Sequence, residues 1–313
     1  MPDNLKQGDK SGNWKLKFYD DFQSGLSQWA APMSGLDVYS HSCALYIPEN
    51  VSTNSEGMVL QVGPSVTDSS KCTGHDPGGG KVQADGCVKS GRIMSNFSQK
   101  YGLFIWDAQV PRGPNLWPAL WLVNAGNWPQ TGEIDVMEVV DSIEKRNYFT
   151  SRIMVPIEDQ KNAGGVSIPP DDKPDDQIHI KGKDWWNQFH TFAVNWYPKG
   201  DDDFIYDFYI DIEVKDGEIR DQKGQKATPV KSYSLANLVS KWKNYKPSDP
   251  GLSQYNLASA KEIDSLVQPQ HMVCNVAVGG WWGAPGGGTK CAKCLNTEAK
   301  MTIRNVQVWK YEG

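Results

Sequence analysis

Short runs of β-branched and aromatic residues recur along this chain, broken at intervals by Gly, Pro, Asn and Asp, and that rhythm limits the fold more than any other feature. The runs Lys15–Tyr19, Met58–Val62, Gly102–Val110, Trp117–Val123, Thr191–Tyr197, Phe204–Val214, Met272–Val278 and Met301–Tyr311 have the composition of strands. Strands of this kind, separated by turn signals, indicate an antiparallel sandwich or barrel rather than βαβ units. At 313 residues the chain suits one large all-β domain, with residues 1–12 as a polar tail and 13–313 as the domain. Two stretches break the rhythm. Residues 157–185 are polar and proline-bearing, as in a long surface excursion. Residues 215–270 carry two helical patterns, Ser234–Trp242 and Ala258–Val267, with a turn-like stretch between them, and read as a partly helical insertion decorating the sandwich.

The formal charge is −5, which argues against nucleic acid and anionic membranes as partners. No apolar stretch approaches the length of a membrane span. The wholly polar start reads as a mature or artificial terminus. Six cysteines, at positions 43, 72, 87, 274, 291 and 294, permit three disulfides in any of fifteen pairings. Cys291-Ala-Lys-Cys294 lacks the second close pair that a zinc site needs, so a local disulfide is the expectation there. The sequons Asn50-Val-Ser52 and Asn96-Phe-Ser98 fit a secreted, glycosylated protein in an oxidising compartment.

One run is chemically unlike the others. Residues 132–139 place Glu133, Asp135 and Glu138 in an otherwise apolar, β-branched segment. Side chains alternate faces along a strand, so Glu133 and Asp135 share a face and Glu138 would oppose them. A β-bulge at Val136-Met137 would return Glu138 to that face. The two glutamates would then sit roughly 13 Å apart at Cα. Leaning inward, they could bring their carboxyls to about 5–5.5 Å, the separation used in retaining glycoside hydrolysis. A structural strand would gain nothing from three crowded like charges. A catalytic strand would, because crowding lets one carboxyl, here expected to be Glu138, hold a proton near neutrality.

The chain holds 13 tryptophans, and Trp faces stack on the apolar faces of sugar rings. In an extended Trp117-Pro-Ala-Leu-Trp121 segment Trp117, Ala119 and Trp121 share a face, with filling of the core the favoured place for Trp117. Trp128, in a turn-rich segment, is expected at a cleft, as are Trp281 and Trp282 in the glycine-rich Val278–Pro285 loop.

Together these residues resemble glycoside hydrolase family 16. Glu133-Ile-Asp-Val-Met-Glu138 is similar to the family's signature in the bulged form of its laminarinase-like members, endo-β-1,3(4)-glucanases. Phe18–Phe22, Glu49–Ser52, Gly57–Val62, Ser90–Ile93, Trp117–Leu122, Phe189–Val194 and Asn275–Gly280 resemble further landmarks in the same order. The resemblance implies a β-jelly roll of two curved antiparallel sheets whose concave face forms a glycan cleft. It implies Glu133 as nucleophile, Glu138 as acid/base and Asp135 as the residue that tunes the nucleophile. Trp121, Trp128 and Arg92 match residues that contact sugar, and Trp282 is a further candidate. No cofactor is implied, and the expected partner of a monomeric enzyme is β-glucan.

The chain departs from the pattern in places. Asp141–Arg152 lacks the histidine that many laminarinases carry after the catalytic strand, and Tyr39–Ala44 replaces an Asn-rich stretch. Arg304 stands where many members place a calcium-binding aspartate, so structural calcium is not expected. His190 reads as a core histidine. The expectation is a secreted retaining endo-β-glucanase acting on β-1,3 or mixed β-1,3/1,4 glucan. The alternatives are a galactan hydrolase, a transglycosylase, or a recognition protein that binds glucan without cleaving it.

Overall fold

A computed structural model describes residues 13–37, 41–75, 79–126, 128, 131–139, 148–156, 165–168, 177–179, 185–243, 257–279, 291 and 294–312. The fold is a jelly-roll sandwich built on two large antiparallel sheets. One sheet runs Lys231–Ser234, Phe204–Ile210, His190–Pro198, Gly102–Gln109, Ala299–Tyr311, Gly57–Val62, Val51–Asn54, with Trp14–Asp20 also paired to Ala299–Tyr311. The other runs Arg92–Gln99, Gln270–Val278, Leu116–Val123, Glu133–Glu138, Tyr148–Pro156, Gly165–Ile168, and Gln177–His179 pairs with Tyr148–Pro156.

Alternation along the strands builds the core between the sheets. Phe104, Trp106 and Ala108 of the first sheet meet the layer of Leu120, Leu122, Ile134 and Cys274 from the second in one continuous cluster. A small sheet of Gly35–Leu36, Ala44–Tyr46, Cys87–Ser90 and Ser65–Val66 closes one end, with Ala44–Tyr46 and Cys87–Ser90 running parallel.

The expected runs form strands, with one break. Phe204–Val214 divides at Asp211, which adopts φ +56°, so Ile212–Lys215 turns away to pair with Glu218–Asp221. Both helical patterns fold, as Leu235–Lys243 and Ala260–Leu266, the latter started by a Ser259/Glu262 capping box. The insertion is less detached than expected, because Lys231–Ser234 forms an edge strand of the first sheet. The turn-like stretch between the helices lies outside the described residues.

The cysteines correct one expectation. Cys291 pairs with Cys43, not Cys294, and Cys72 pairs with Cys87, which leaves Cys274 and Cys294 as buried thiols. Cys294 N–H bonds the Cys291 carbonyl in a tight turn, while Cys43 is fixed beside it through Val278. The Asn50 sequon is also overturned as a glycosylation site. Asn50 is buried, and its amide donates to the carbonyls of Gln61 and Gly63. Asn96 is exposed.

Candidate active site

The carboxylate strand contains the expected bulge. Ala119 pairs with Glu138 and Leu120 with Met137, but Trp121 pairs with Asp135, so Val136 is skipped. On the other side Asp135 pairs with Arg152 and Glu138 with Thr150, which sets Val136 and Met137 against Ser151 alone. Fully buried Ser151 fixes this irregularity by donating its hydroxyl to the Val136 carbonyl at 2.7 Å. Tyr233, from the edge strand of the insertion, donates in turn to the Ser151 carbonyl at 3.1 Å. Ile134, Val136 and Met137 are therefore sealed in the core, and Glu133, Asp135 and Glu138 share the outer face.

Entry to the strand is equally constrained. Gly132 has φ +83°, and a Cβ there would stand 3.0 Å from Val267 at the end of the Ala260–Leu266 helix. A side chain at 132 would displace the residue next to Glu133.

An indole meets each glutamate. Trp128 Nε1 donates to Glu133 Oε2 at 2.7 Å, and Trp117 Nε1 donates to Glu138 Oε1 at 2.8 Å. Trp128 is 42% exposed, as a residue at a cleft should be. Trp117 corrects the expectation that it fills the core. Its register with Ala277, beside Ala119 opposite Asn275, turns its ring to the carboxylate face. That placement was available from the alternation of Trp117, Ala119 and Trp121, which outweighs tryptophan's general preference for burial.

Glu133 keeps a solvent-open edge, while its carboxyl is set deep among neighbours. Burial, followed by the charge of Glu138, pushes its pKa up from 4.5 to about 7, against the Trp128 hydrogen bond and the Arg92 charge. The rise was expected on Glu138 and is resolved on Glu133. The charge of the neighbouring carboxyl adds to the larger effect of burial. Asp135 lies between them, 8% exposed, in register with Trp121.

Across the sheet, Arg92 and Asn275 pair in register and extend the same face. The Arg92 guanidinium sits 4.9 Å from the Trp121 ring centre and 5.9 Å from that of Tyr46. Trp121 Nε1 donates to Asn275 Oδ1 at 2.7 Å, Asn275 Nδ2 to Tyr46 Oη at 3.2 Å, and Tyr46 Oη to Asp37 Oδ2 at 3.1 Å. Burial of Tyr46, with the Asp37 charge, pushes its phenol pKa well up, so it remains a neutral donor. This buried chain fixes the indole of Trp121, and the sequence alone did not mark Asn275, Tyr46 or Asp37 as parts of the site. Trp282 lies outside the described residues.

The place expected for a calcium ligand does not fit a divalent cation. Arg304 pairs with Asp107 at 3.2 Å and lies 3.9 Å from the Phe189 ring centre. Nearby, His190 Nδ1 bonds Asp211 Oδ1 at 2.8 Å, on the sheet that does not carry the glutamates.

Comparison with known proteins finds relatives for part of the sequence and for the fold. Residues 48–160 match the profile of the XgeA-like catalytic domain of glycoside hydrolase family 16. A β-1,3-glucan-binding protein of Penaeus monodon is 47% identical over 51 residues, 15% of this chain and 14% of that protein. A glucan endo-1,3-β-glucosidase of Cryptopygus antarcticus is 29% identical over 124 residues, 38% of this chain and 42% of that protein. The chain thus spans less than half the length of either relative. A β-glucanase of Rhodothermus marinus is 23% identical over 303 residues, 90% of this chain and 81% of that protein. In fold, the chain resembles the catalytic domain of a laminarinase from Thermotoga petrophila, with TM-score 0.60, 20% identity, and coverage of 96% of this chain and 100% of that one. It resembles equally a structure described with endo-acting O-glycanases of the human gut microbiota, with TM-score 0.61, 19% identity, and coverage of 96% and 92%. The bulged carboxylate strand and the tryptophan strand beside it both lie within residues 48–160, the stretch that is similar to the catalytic domain of glycoside hydrolase family 16.

Proposed function

We propose that the protein is a secreted endo-β-glucanase that cleaves β-1,3 or mixed β-1,3/1,4 glucan with retention of anomeric configuration. The observation that carries this reading is the bulge, which sets Glu133 and Glu138 on one face as a coupled pair with an indole N–H on each. In the first step Glu133 attacks the anomeric carbon while Glu138 gives its proton to the departing glycosidic oxygen. A covalent glycosyl ester on Glu133 results. In the second step Glu138 removes a proton from water, the hydroxide equivalent attacks the same carbon, and Glu133 leaves as carboxylate. The Trp128 N–H and the Arg92 charge favour ionised Glu133, the form that attacks. Asp135, between the pair, is the residue proposed to orient Glu133. Trp121, held by Asn275, together with Trp128 and Arg92, forms the sugar-contacting surface. The disulfides fit an oxidising, extracellular setting.

The choice of β-glucan rests on the glucanases and the glucan-binding protein among the relatives. The fold is shared with structures described for other glycans, so a galactan-type substrate or transfer to a sugar hydroxyl is the second reading. A binder without catalysis would have no use for the coupled carboxylates. The test is chromatography of products from laminarin, mixed-linkage β-glucan, xyloglucan and agarose, with Glu133→Gln alongside. Cleavage of a β-glucan that is lost in the variant supports the proposal. Glycan binding with no product from any polymer contradicts it.

A further inference from the structure

The sheet that lacks the glutamates carries a second apolar cluster on its outer face, around Trp14, Ile105, Tyr209 and Trp309. The hairpin of Ile212–Lys215 and Glu218–Asp221 leaves the sheet at Asp211 and covers part of this cluster. Between the hairpin and the paired strands near the chain ends lies a groove of about 370 Å³. That is within the range of about 300–1,000 Å³ seen for small-ligand sites.

Two features of the groove suit a ligand. Tyr209 lines it with a largely buried ring, and its hydroxyl, which makes no hydrogen bond among the described residues, stays open to the groove. An open hydroxyl of this kind can donate to or accept from a ligand that enters the groove. Tyr311 is the most exposed of the large apolar side chains described, at 53%, but it is held in place. Trp14 packs edge-on against its ring at 5.4 Å, and Asn13 Nδ2 donates to its hydroxyl at 2.7 Å. Lys226 and Asp216 also line the groove, and neither takes part in an ion pair among the described residues.

We propose that this groove is a second glycan-binding site, which holds one or two pyranose rings of a neutral polysaccharide on the side of the sandwich opposite the glutamates. A fixed, exposed phenol ring offers a stacking surface for the C–H face of a sugar. The Tyr209 hydroxyl, an ammonium and a carboxylate supply both donors and acceptors for sugar hydroxyls, with opposite charges that favour no ionic ligand. Holding the polymer there raises its effective concentration at the catalytic face. The proposal rests on the reading of the protein as polysaccharide-active.

Two variants test it: Tyr311→Ala, which removes an exposed ring, and Tyr209→Phe, which removes only a hydroxyl. Retention is measured by affinity electrophoresis in gels containing laminarin or mixed-linkage β-glucan, and turnover on the polymer and on a short laminari-oligosaccharide. The expected result is retention weakened severalfold and a higher KM on polymer, with turnover of the short substrate unchanged. Retention and KM unchanged in both variants, no retention of the unaltered protein by either gel, or equal losses on long and short substrates would each overturn the proposal. A Glu133→Gln variant that keeps full turnover would instead refute the catalytic reading. Retention would still report on the groove.

Discussion

Glu133→Gln should stabilise the protein, and the gain should depend on pH in a defined way. An unfolded glutamate ionises near 4.5, whereas burial and the Glu138 charge bring folded Glu133 to about 7. Between those values the folded state holds a proton that the unfolded state has released, so stability falls as pH rises through this window. Below about 4.5 both states are protonated and the penalty is absent, while above about 7 it is complete. At ~1.4 kcal/mol per tenfold change in acidity, the full penalty is on the order of 3–4 kcal/mol as an upper bound. Glutamine removes the charge and keeps an oxygen that can accept the Trp128 N–H, so the variant should escape most of the penalty. Urea unfolding of both proteins between about pH 4 and 8 measures the difference directly. The expected gain is near zero at the acid end and rises to its plateau near neutrality. A difference that does not change with pH, or that shrinks as pH rises, would refute the claim that burial and the neighbouring charge raise the pKa of Glu133.

Three further outcomes follow from the same contacts. Trp128→Phe keeps a ring but removes the N–H that favours ionised Glu133, so the acid limb of the kcat/KM profile should move to higher pH. An unmoved limb would mean that the bond has no influence on the nucleophile. Asn275→Ala removes the acceptor that fixes Trp121, at a cost of about 1 kcal/mol, or roughly fivefold. The loss should fall on KM with kcat little changed, as steady-state kinetics on a soluble glucan would show. Replacing Cys43 and Cys291 by Ser opens a link across 248 positions, and replacing Cys72 and Cys87 opens one across 15. Chain entropy predicts losses of about 5 and about 3 kcal/mol respectively, so thermal melts should rank the first pair as the more damaging.

Local pattern carried much of this structure, and long-range partners carried the rest. The bulge was legible because three carboxylates cannot share a strand face at their spacing without one, and the register around Val136 bears that out. The exposure of Trp128 was legible from its turn-rich setting. The partner of Cys291 was not, since Cys43 is brought to it by the small end sheet from far along the chain. Asn50 carries a sequon, but its amide is consumed by two carbonyls that only the folded loop supplies. The Phe204–Val214 run has unbroken strand composition, and its division comes from the single left-handed residue Asp211. The chain from Trp121 through Asn275 and Tyr46 to Asp37 joins four separate segments, so no local window contains it.

Proton NMR of the anomeric signals during the first moments of β-glucan hydrolysis tests the catalytic account most directly. Double displacement through Glu133 predicts that the new reducing end appears first as the β anomer and reaches the α/β equilibrium only by later mutarotation. Initial release of the α anomer would mean that water attacks the sugar directly, and Glu133 would not be the nucleophile.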